Sequence, residues 1–358
     1  MKNNKFVILG VAAAVLLAAG IWLSHHRSSQ QANISGSQVF GDLEAALGQV
    51  TEVRLSKGDG SRTTLRKDAA GWTVVEREFP ADPARVRELV LALARLRVVE
   101  QKTSDPANYA KLGVETPDTP AAASTLVEVV AGAKVWVLIA GKVADNRAVY
   151  VRKPKDAASA LAAPFFNADP DQKRWVDRLI TDIPGASVHE VAVQMGKEPS
   201  YLLTRAKKGD PDITLTPVPK GRTAASTMVL AGQSEVLSAF NFDDVRKAGT
   251  TPPTDSATLR AFDGQVFEFK GHREGGKGFV TLNAHRDATL AAQFAAPAPV
   301  TGAKEPASKD DLGVERLATR TQGVEFEIPL YKYEALFKPL EQLLEPKAGT
   351  AAKPPGAK

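Results

Sequence analysis

No cysteine occurs among the 358 residues of the chain. This absence excludes disulfide bridges, cysteine-ligated zinc, iron–sulfur clusters and thiol nucleophiles. It leaves the compartment open, because a chain without cysteine suits either side of a bacterial inner membrane. The composition, 43% hydrophobic and 24% charged, is typical of a globular protein with two or three domains.

Excess positive charge is confined to the two ends of the chain. Residues 1–27 contain three basic residues and no acidic one, and the same holds for residues 347–358. The other 40 basic residues are balanced by the 41 acidic ones. A nucleic-acid-binding protein concentrates positive charge on its folded surface, so this distribution argues against a nucleic-acid partner.

Charge is also missing from residues 6–23, an apolar run marked by Phe6, Leu16, Trp22 and Leu23. A helix of this length extends ~27 Å, enough to cross a thin hydrocarbon layer. The lysines before it predict a cytoplasmic N-terminus, with the bulk of the chain in the periplasm. A cleaved signal peptide is the alternative, but the run ends in bulky side chains and no Ala-x-Ala site follows. We therefore expect a single-pass signal anchor in the inner membrane.

The remainder of the chain is predicted to contain two copies of one order of strands and helices. Alternating strands at 50–55 and 188–193 begin the copies, and landmarks such as Gly132 and Gly264 recur at an offset of 130–133 residues. Antiparallel strand pairs with separate helices predict an α+β fold. The expected organisation is a cytoplasmic stub and anchor (1–27), a tether (28–48), two modules (49–181 and 182–346) and a disordered tail (347–358).

Apolar spacing predicts three helices within the modules. One begins at Asp82-Pro83, a second covers residues 175–180, and a third covers residues 333–344 with a break at Pro339. Ser234 is expected to cap a further short helix, which Asp243 would help to end.

Three stretches carry a family resemblance. They contain Trp72 with the helix start Pro80-Ala81-Asp82, the turn Leu112-Gly113-Val114, and the Trp-x-Asp-Arg pattern that begins at Trp175. In this order they resemble the bacterial domain-of-unknown-function family numbered 4340, over most of residues 45–345. The resemblance implies a membrane-anchored extracytoplasmic protein, in some cases encoded beside ABC transport components of the gliding-motility type. It carries over no catalytic residue, because the family has none assigned.

The catalytic and ligand-binding motifs that the sequence suggests are each incomplete. Residues 271–278 match the start of a P-loop, but Gly278 replaces the Ser or Thr that binds magnesium, so a hairpin is predicted. His189 lacks the second histidine of a zinc-protease motif, and His272 and His285 have no ligand spacing, although they could share a metal with Asp287 across strands. We therefore predict no catalytic, cofactor or metal site.

Trp72, Trp136 and Trp175 are the candidate interaction residues, since an exposed indole is a frequent binding hot spot. A place in the core is the competing interpretation of all three. The sequence thus predicts a non-catalytic, membrane-anchored accessory or scaffold protein, with ABC transporter subunits or another envelope protein as partner. An envelope hydrolase with dispersed carboxylates and a periplasmic ligand-binding module are the alternatives.

Overall fold

The computed structural model describes residues 36–145, 147–295 and 311–346. It divides by its contacts into two units. Unit 1 comprises Met1–Asp68 and Ala84–Asp171, and unit 2 comprises Ala69–Pro83 and Gln172–Lys358. The short segment 69–83 therefore belongs to the unit that is formed mainly by the later half of the chain.

Unit 1 is built on an antiparallel sheet. Its strands alternate between buried and accessible side chains, as in Thr125–Ala131, where Val127 and Val129 face the core. The strands are β1 (Val50–Ser56), β2 (Arg62–Lys67), β5 (Arg97–Gln101), β6 (Thr125–Ala131), β7 (Lys134–Asp145), β8 (Ala148–Arg152) and β9 (Ser159–Ala163), and their spatial order is β2-β1-β6-β7-β8-β9-β5. The numbers β3 and β4 denote Trp72–Val74 and Phe79–Pro80, which pair with each other in unit 2.

Helix α1 (Pro83–Ala94) is the longest helix described and confirms the prediction from Asp82-Pro83. Four of its branched residues are buried at helical spacing, from Val86 to Leu93, so one side of the helix is apolar. A single helical turn, α2 (Tyr109–Leu112), covers a small satellite core that includes Tyr109 and Ile139.

Unit 2 repeats this strand order within a sheet of eight strands. Its sheet runs β13-β12-β11-β16-β17-β18-β19-β15 and is antiparallel throughout. The strands are β11 (Val188–Met195), β12 (Tyr201–Thr204), β13 (Thr214–Thr216), β15 (Asp244–Lys247), β16 (Asp255–Ala261), β17 (Gln265–Glu274), β18 (Lys277–Arg286) and β19 (Val324–Ile328). From β12 to β15 the connectivity equals that from β2 to β5 in unit 1, which is compatible with the predicted duplication.

Short helices and one further strand pair complete unit 2. The helices are α3 (Thr227–Ala231), α4 (Ala288–Phe294), α5 (Asp311–Thr321) and α6 (Leu330–Leu336), and the strand pair is β10 (Leu179–Thr181) with β14 (Phe240–Asn241). The architecture is therefore α+β, formed mostly by antiparallel sheets with a few helices.

The predicted helix over residues 175–180 is wrong. Its first residues take part in backbone pairing, because Asp82 N donates to Trp175 O and Asp177 N donates to Pro80 O. Residues 179–181 then form strand β10. Apolar spacing over six residues cannot distinguish a helix from extended chain when another segment offers backbone partners.

The helical stripe near the C-terminus is interrupted as expected. Helix α6 ends at Leu336, and a 3-10 turn over Leu340–Leu343 begins directly after Pro339. The proline lacks an amide hydrogen and cannot continue the helix.

The glycine-rich segment 271–278 is a β-hairpin, as predicted. Gly275 and Gly276 form its turn with φ of 57° and 78°, a conformation that favours glycine. Gly271 and Gly278 serve a different purpose, because α6 packs on the hairpin there. A Cβ added at Gly278 would overlap the Tyr333 ring, and one at Gly271 would overlap the Phe337 ring. Gly275 and Gly276 therefore allow the turn, and Gly271 and Gly278 allow the close packing of this segment.

Candidate functional site

A group of charged side chains lies in unit 2, beside the edge strand β15. It surrounds an open cleft of about 390 Å³, which we call the charged cleft. Residues from five parts of unit 2 line it: Arg77, Lys173, Asp244, Val245, Arg246, Glu274, Gly275, Lys277, Phe279 and Glu327.

Asp244 opens strand β15 and receives two cations. Its Oδ2 lies 3.3 Å from Arg77 Nη2 and 3.1 Å from Lys173 Nζ. Arg77 also donates through Nη1 to the carbonyl oxygen of Val245 at 3.4 Å. Arg77 thus binds a backbone carbonyl of β15, and both cations bind the first side chain of that strand. Because β15 is an edge strand, its outer backbone groups would otherwise be open to pairing with another chain.

Arg246 bridges two carboxylates at the centre of the cleft. Its Nη2 lies 2.6 Å from Glu274 Oε2, and its Nε lies 2.6 Å from Glu325 Oε1. The guanidinium carbon stands 3.9 Å from the centre of the Phe279 ring. Glu325 is buried and Glu274 is exposed, so Arg246 pairs with one buried and one surface carboxylate.

These contacts shift the pKa values of Arg246 and Glu274. The hydrogen bond to Glu274, and then that to Glu325, raises the pKa of Arg246 above its ordinary value. The same bond from Arg246 lowers the pKa of Glu274. A general acid in hydrolysis needs a carboxyl whose pKa is raised, so the shift at Glu274 has the opposite direction from the one that role requires.

The other side of the cleft holds a further ion pair and a histidine. Lys277 Nζ lies 2.9 Å from Glu327 Oε1. His272 is buried and stacks on Phe279, with ring centres 5.5 Å apart and planes 17° apart. Its Nε2 is 3.9 Å from Glu274 Oε2 and makes no hydrogen bond. The histidine is thus part of the aromatic support of the cleft.

The alternative in which His272 and His285 share a metal across strands is wrong, because the two histidines lie far apart. In the hairpin register His272 pairs with Phe279 and His285 pairs with Val266. Six residues of strand separate these pairs, a distance of ~20 Å. Within residues 36–145, 147–295 and 311–346, no group of three acidic or histidine side chains is arranged to hold a metal ion.

Two predicted helix caps have other partners. Asp243 forms an ion pair with Arg178 at 2.7 Å, and its neighbour begins β15 instead of ending a helix. Ser234 is buried in a short 3-10 turn that follows Gln233. Its hydroxyl accepts from Arg205 Nη2 at 3.2 Å and donates to the carbonyl of Ala231 at 2.8 Å.

The candidate tryptophans differ in exposure. Trp136 in unit 1 is buried, and its Nε1 donates to Asp42 Oδ1 at 2.7 Å. Trp175 in unit 2 is buried, and Trp72 is half-buried in β3. A buried indole reaches a partner only after rearrangement, so among the three only Trp72 offers accessible surface for the predicted interaction.

Phe6, Leu16, Trp22 and Leu23, which were predicted to belong to a membrane span, lie outside the described residues. Among the helices of the described part, none is both long and apolar enough to cross a bilayer.

Comparison with family models gives a match. The profile of the family described as "Domain of unknown function (DUF4340)" matches residues 72–261, which is more than half of the chain. The protein belongs to the DUF4340 family. No curated protein and no solved structure matches this family member. The match includes Arg77, Lys173 and Arg246 of the charged cleft, whereas the hairpin turn and β19 lie beyond it.

The sequence did not point to this site in the DUF4340 protein. Arg77, Arg246 and Glu325 are ordinary charged residues in sequence and are brought together only by the sheet, since β15 pairs with β19. Glu325 offered no signal either, because the strand VEFEI alternates apolar and acidic residues, a pattern that predicts carboxylates on the exposed face.

Proposed function

We propose that this protein is a non-catalytic accessory or scaffold protein of the cell envelope. An apolar N-terminal segment would anchor it in the inner membrane, and two related α+β modules would stand in the periplasm. The partner we propose is a subunit of an ABC-type transporter or another envelope protein.

The observation that carries the proposal is the mutual neutralisation of the charged cleft. The carboxylates of Asp244, Glu274, Glu325 and Glu327 each lie within 3.3 Å of a lysine or arginine nitrogen. A hydrolase of the alternative type needs two carboxyls whose pKa values are driven apart, one of them upward. Compensated ion pairs instead stabilise a surface and provide polar groups at its rim.

Exposed apolar side chains add support for a binding role. In unit 1, Val135 and Val143 on β7 are each 50% exposed, and Val99 on the edge strand β5 is 53% exposed. In unit 2, Met228 on α3 is 85% exposed. Such residues supply the contact area of protein interfaces.

Crosslinking in intact membranes tests the proposal. A photo-reactive amino acid would replace Val135 or Met228 in the full-length chain, and exposed Lys197 would serve as the control position. We expect mass spectrometry to recover transporter or envelope subunits from the first two positions and not from the control. Equal recovery from all three positions, or none from any, would overturn the partner assignment.

Two further assays test location and chemistry. A periplasmic reporter fused to the C-terminus should be active, and a cytoplasmic reporter at the same place should be inactive; the reverse result would refute the proposed orientation. Turnover of a cell-wall or phosphoester substrate by the full-length protein, lost in an Asp244→Asn variant, would establish the hydrolase alternative instead.

A further inference from the structure

A second cleft in unit 2 has a different character from the charged cleft. Its volume is about 530 Å³, within the range of small-molecule sites. Three of its walls come from the sheet: the loop after β12, the β16–β17 turn and the end of β18. The fourth wall is α4, in the connection between β18 and β19.

This fourth wall is absent from the corresponding connection of unit 1. There β8 and β9 are joined by residues 153–158 alone, and no helix intervenes. The second sheet therefore carries an added element that turns an open sheet end into a concave site.

Aromatic rings form the floor of the cleft. Phe262 and Phe294 meet edge to face, with ring centres 4.8 Å apart. The His189 ring lies 5.1 Å from Phe262 and 4.6 Å from Phe294. Phe294 is half-buried, so part of its ring is accessible from the cleft.

Positive charge dominates the rim. Lys207, Lys208 and Arg286 line the cleft, against a single carboxylate, that of Asp263. Both lysines are exposed, so they can approach a ligand without losing a buried contact. An aromatic floor with a basic rim is complementary to a flat apolar body that carries an anionic group.

The loop that carries the two lysines is held in place. The buried Arg205 donates to the carbonyl oxygens of Val188, Gly185 and Asp210. Its own carbonyl oxygen accepts from His189 Nδ1 at 2.7 Å, which assigns the ring hydrogen to Nδ1. Because His189 packs against both phenylalanines of the floor and donates to the base of the loop, the rim and the floor are positioned together, and a ligand finds a preformed site.

We infer that this cleft binds a soluble organic anion with a flat apolar body, such as an aryl phosphate or aryl carboxylate. The apolar body lies on Phe262 and Phe294, and the anionic group contacts Lys207 and Lys208. This inference is independent of the proposed partner and goes beyond a purely structural role for unit 2.

Equilibrium dialysis with 1-naphthyl phosphate tests the inference on the full-length protein in zwitterionic nanodiscs, with empty nanodiscs as the blank. For a ligand of this size we expect a Kd of about 0.1 mM at low salt. The Lys207→Ala/Lys208→Ala variant should bind about tenfold more weakly. The Lys197→Ala/Lys220→Ala variant removes two exposed lysines elsewhere in unit 2 and should bind like the wild type.

Two more measurements distinguish the contribution of the aromatic floor to binding from that of the basic rim. Phe294→Ala should weaken 1-naphthyl phosphate binding but leave any weak binding of inorganic phosphate unchanged. The uncharged 1-naphthol should bind equally to the wild type and the Lys207→Ala/Lys208→Ala variant. Equal affinity of 1-naphthyl phosphate for both lysine-pair variants, or no binding to the wild type, would overturn the inference. Release of naphthol from the probe would instead count against the non-catalytic function while leaving the binding site in place.

Discussion

Replacing Arg246 with methionine tests whether the charged cleft stabilises unit 2. The substitution keeps an unbranched side chain over Phe279 but leaves the Glu325 carboxylate, only 4% exposed, without its cation. Removing one partner of a buried ion pair costs ~3–5 kcal/mol. The Arg246 side chain is 43% exposed, so water screens the pair, and we expect the lower end of that range, about 3 kcal/mol.

The matched controls use the two carboxylates that Arg246 binds. Glu274→Gln removes the exposed partner and should change the stability far less than Arg246→Met does. The double variant Arg246→Met/Glu325→Met removes both charges of the buried pair and should recover at least half of the loss, because no uncompensated buried charge remains and Glu274 is exposed to water.

Differential scanning calorimetry of the full-length protein measures these effects. For a unit of this size, about 3 kcal/mol lowers the Tm by roughly 6–12 °C. Hydrogen exchange of β15 and β19 peptides would assign the shifted transition to unit 2. The reasoning fails if Arg246→Met melts like the wild type, or if the double variant is no more stable than the single one.

Two further predictions concern packing and pH. Gly278→Ala should destabilise the chain by ~1–3 kcal/mol, because the new Cβ overlaps the Tyr333 ring; Gly313→Ala in α5 meets no atom within 4 Å and should be neutral or slightly stabilising in urea unfolding. An unchanged midpoint for Gly278→Ala would contradict the close approach. Burial opposes ionisation of Glu52, but hydrogen bonds from Arg66 and Arg54 outweigh it and lower its pKa below the ordinary 4.5. The unfolded state then binds the proton more readily, so stability should fall as the pH drops below about 4.5, and Glu52→Gln should flatten that slope in urea titrations. A slope identical to the wild type would refute this assignment.

Sequence predictions that depend on adjacent residues were confirmed, whereas a prediction that depended on a distant segment was wrong. The helix at Asp82-Pro83, the hairpin at Gly275-Gly276 and the break at Pro339 depend on a few adjacent residues, and all three are confirmed. The helix predicted over residues 175–180 failed because a segment some 90 residues earlier pairs with its backbone. Local spacing contains no information about such a partner.

A repeated strand plan was also predicted from the sequence, and the two-sheet architecture is compatible with it. Alternation of apolar residues and turn glycines repeats at a nearly constant offset, and the two sheets share their strand order. Family membership could also be predicted from the sequence, because it depends on short motifs in a fixed order along the chain.

Neither cleft could be found in the sequence. Arg246 meets Glu325 because β15 and β19 are neighbours at the sheet edge, although 79 residues separate them. Phe294 meets His189 only after α4 folds across the end of the second sheet. The sequence by itself determined where one helix starts, where a hairpin turns and which family the chain belongs to, since these depend on neighbours along the chain. Only the tertiary structure decided which charges neutralise one another and which rings line a cleft, because those energies depend on distance and burial in three dimensions.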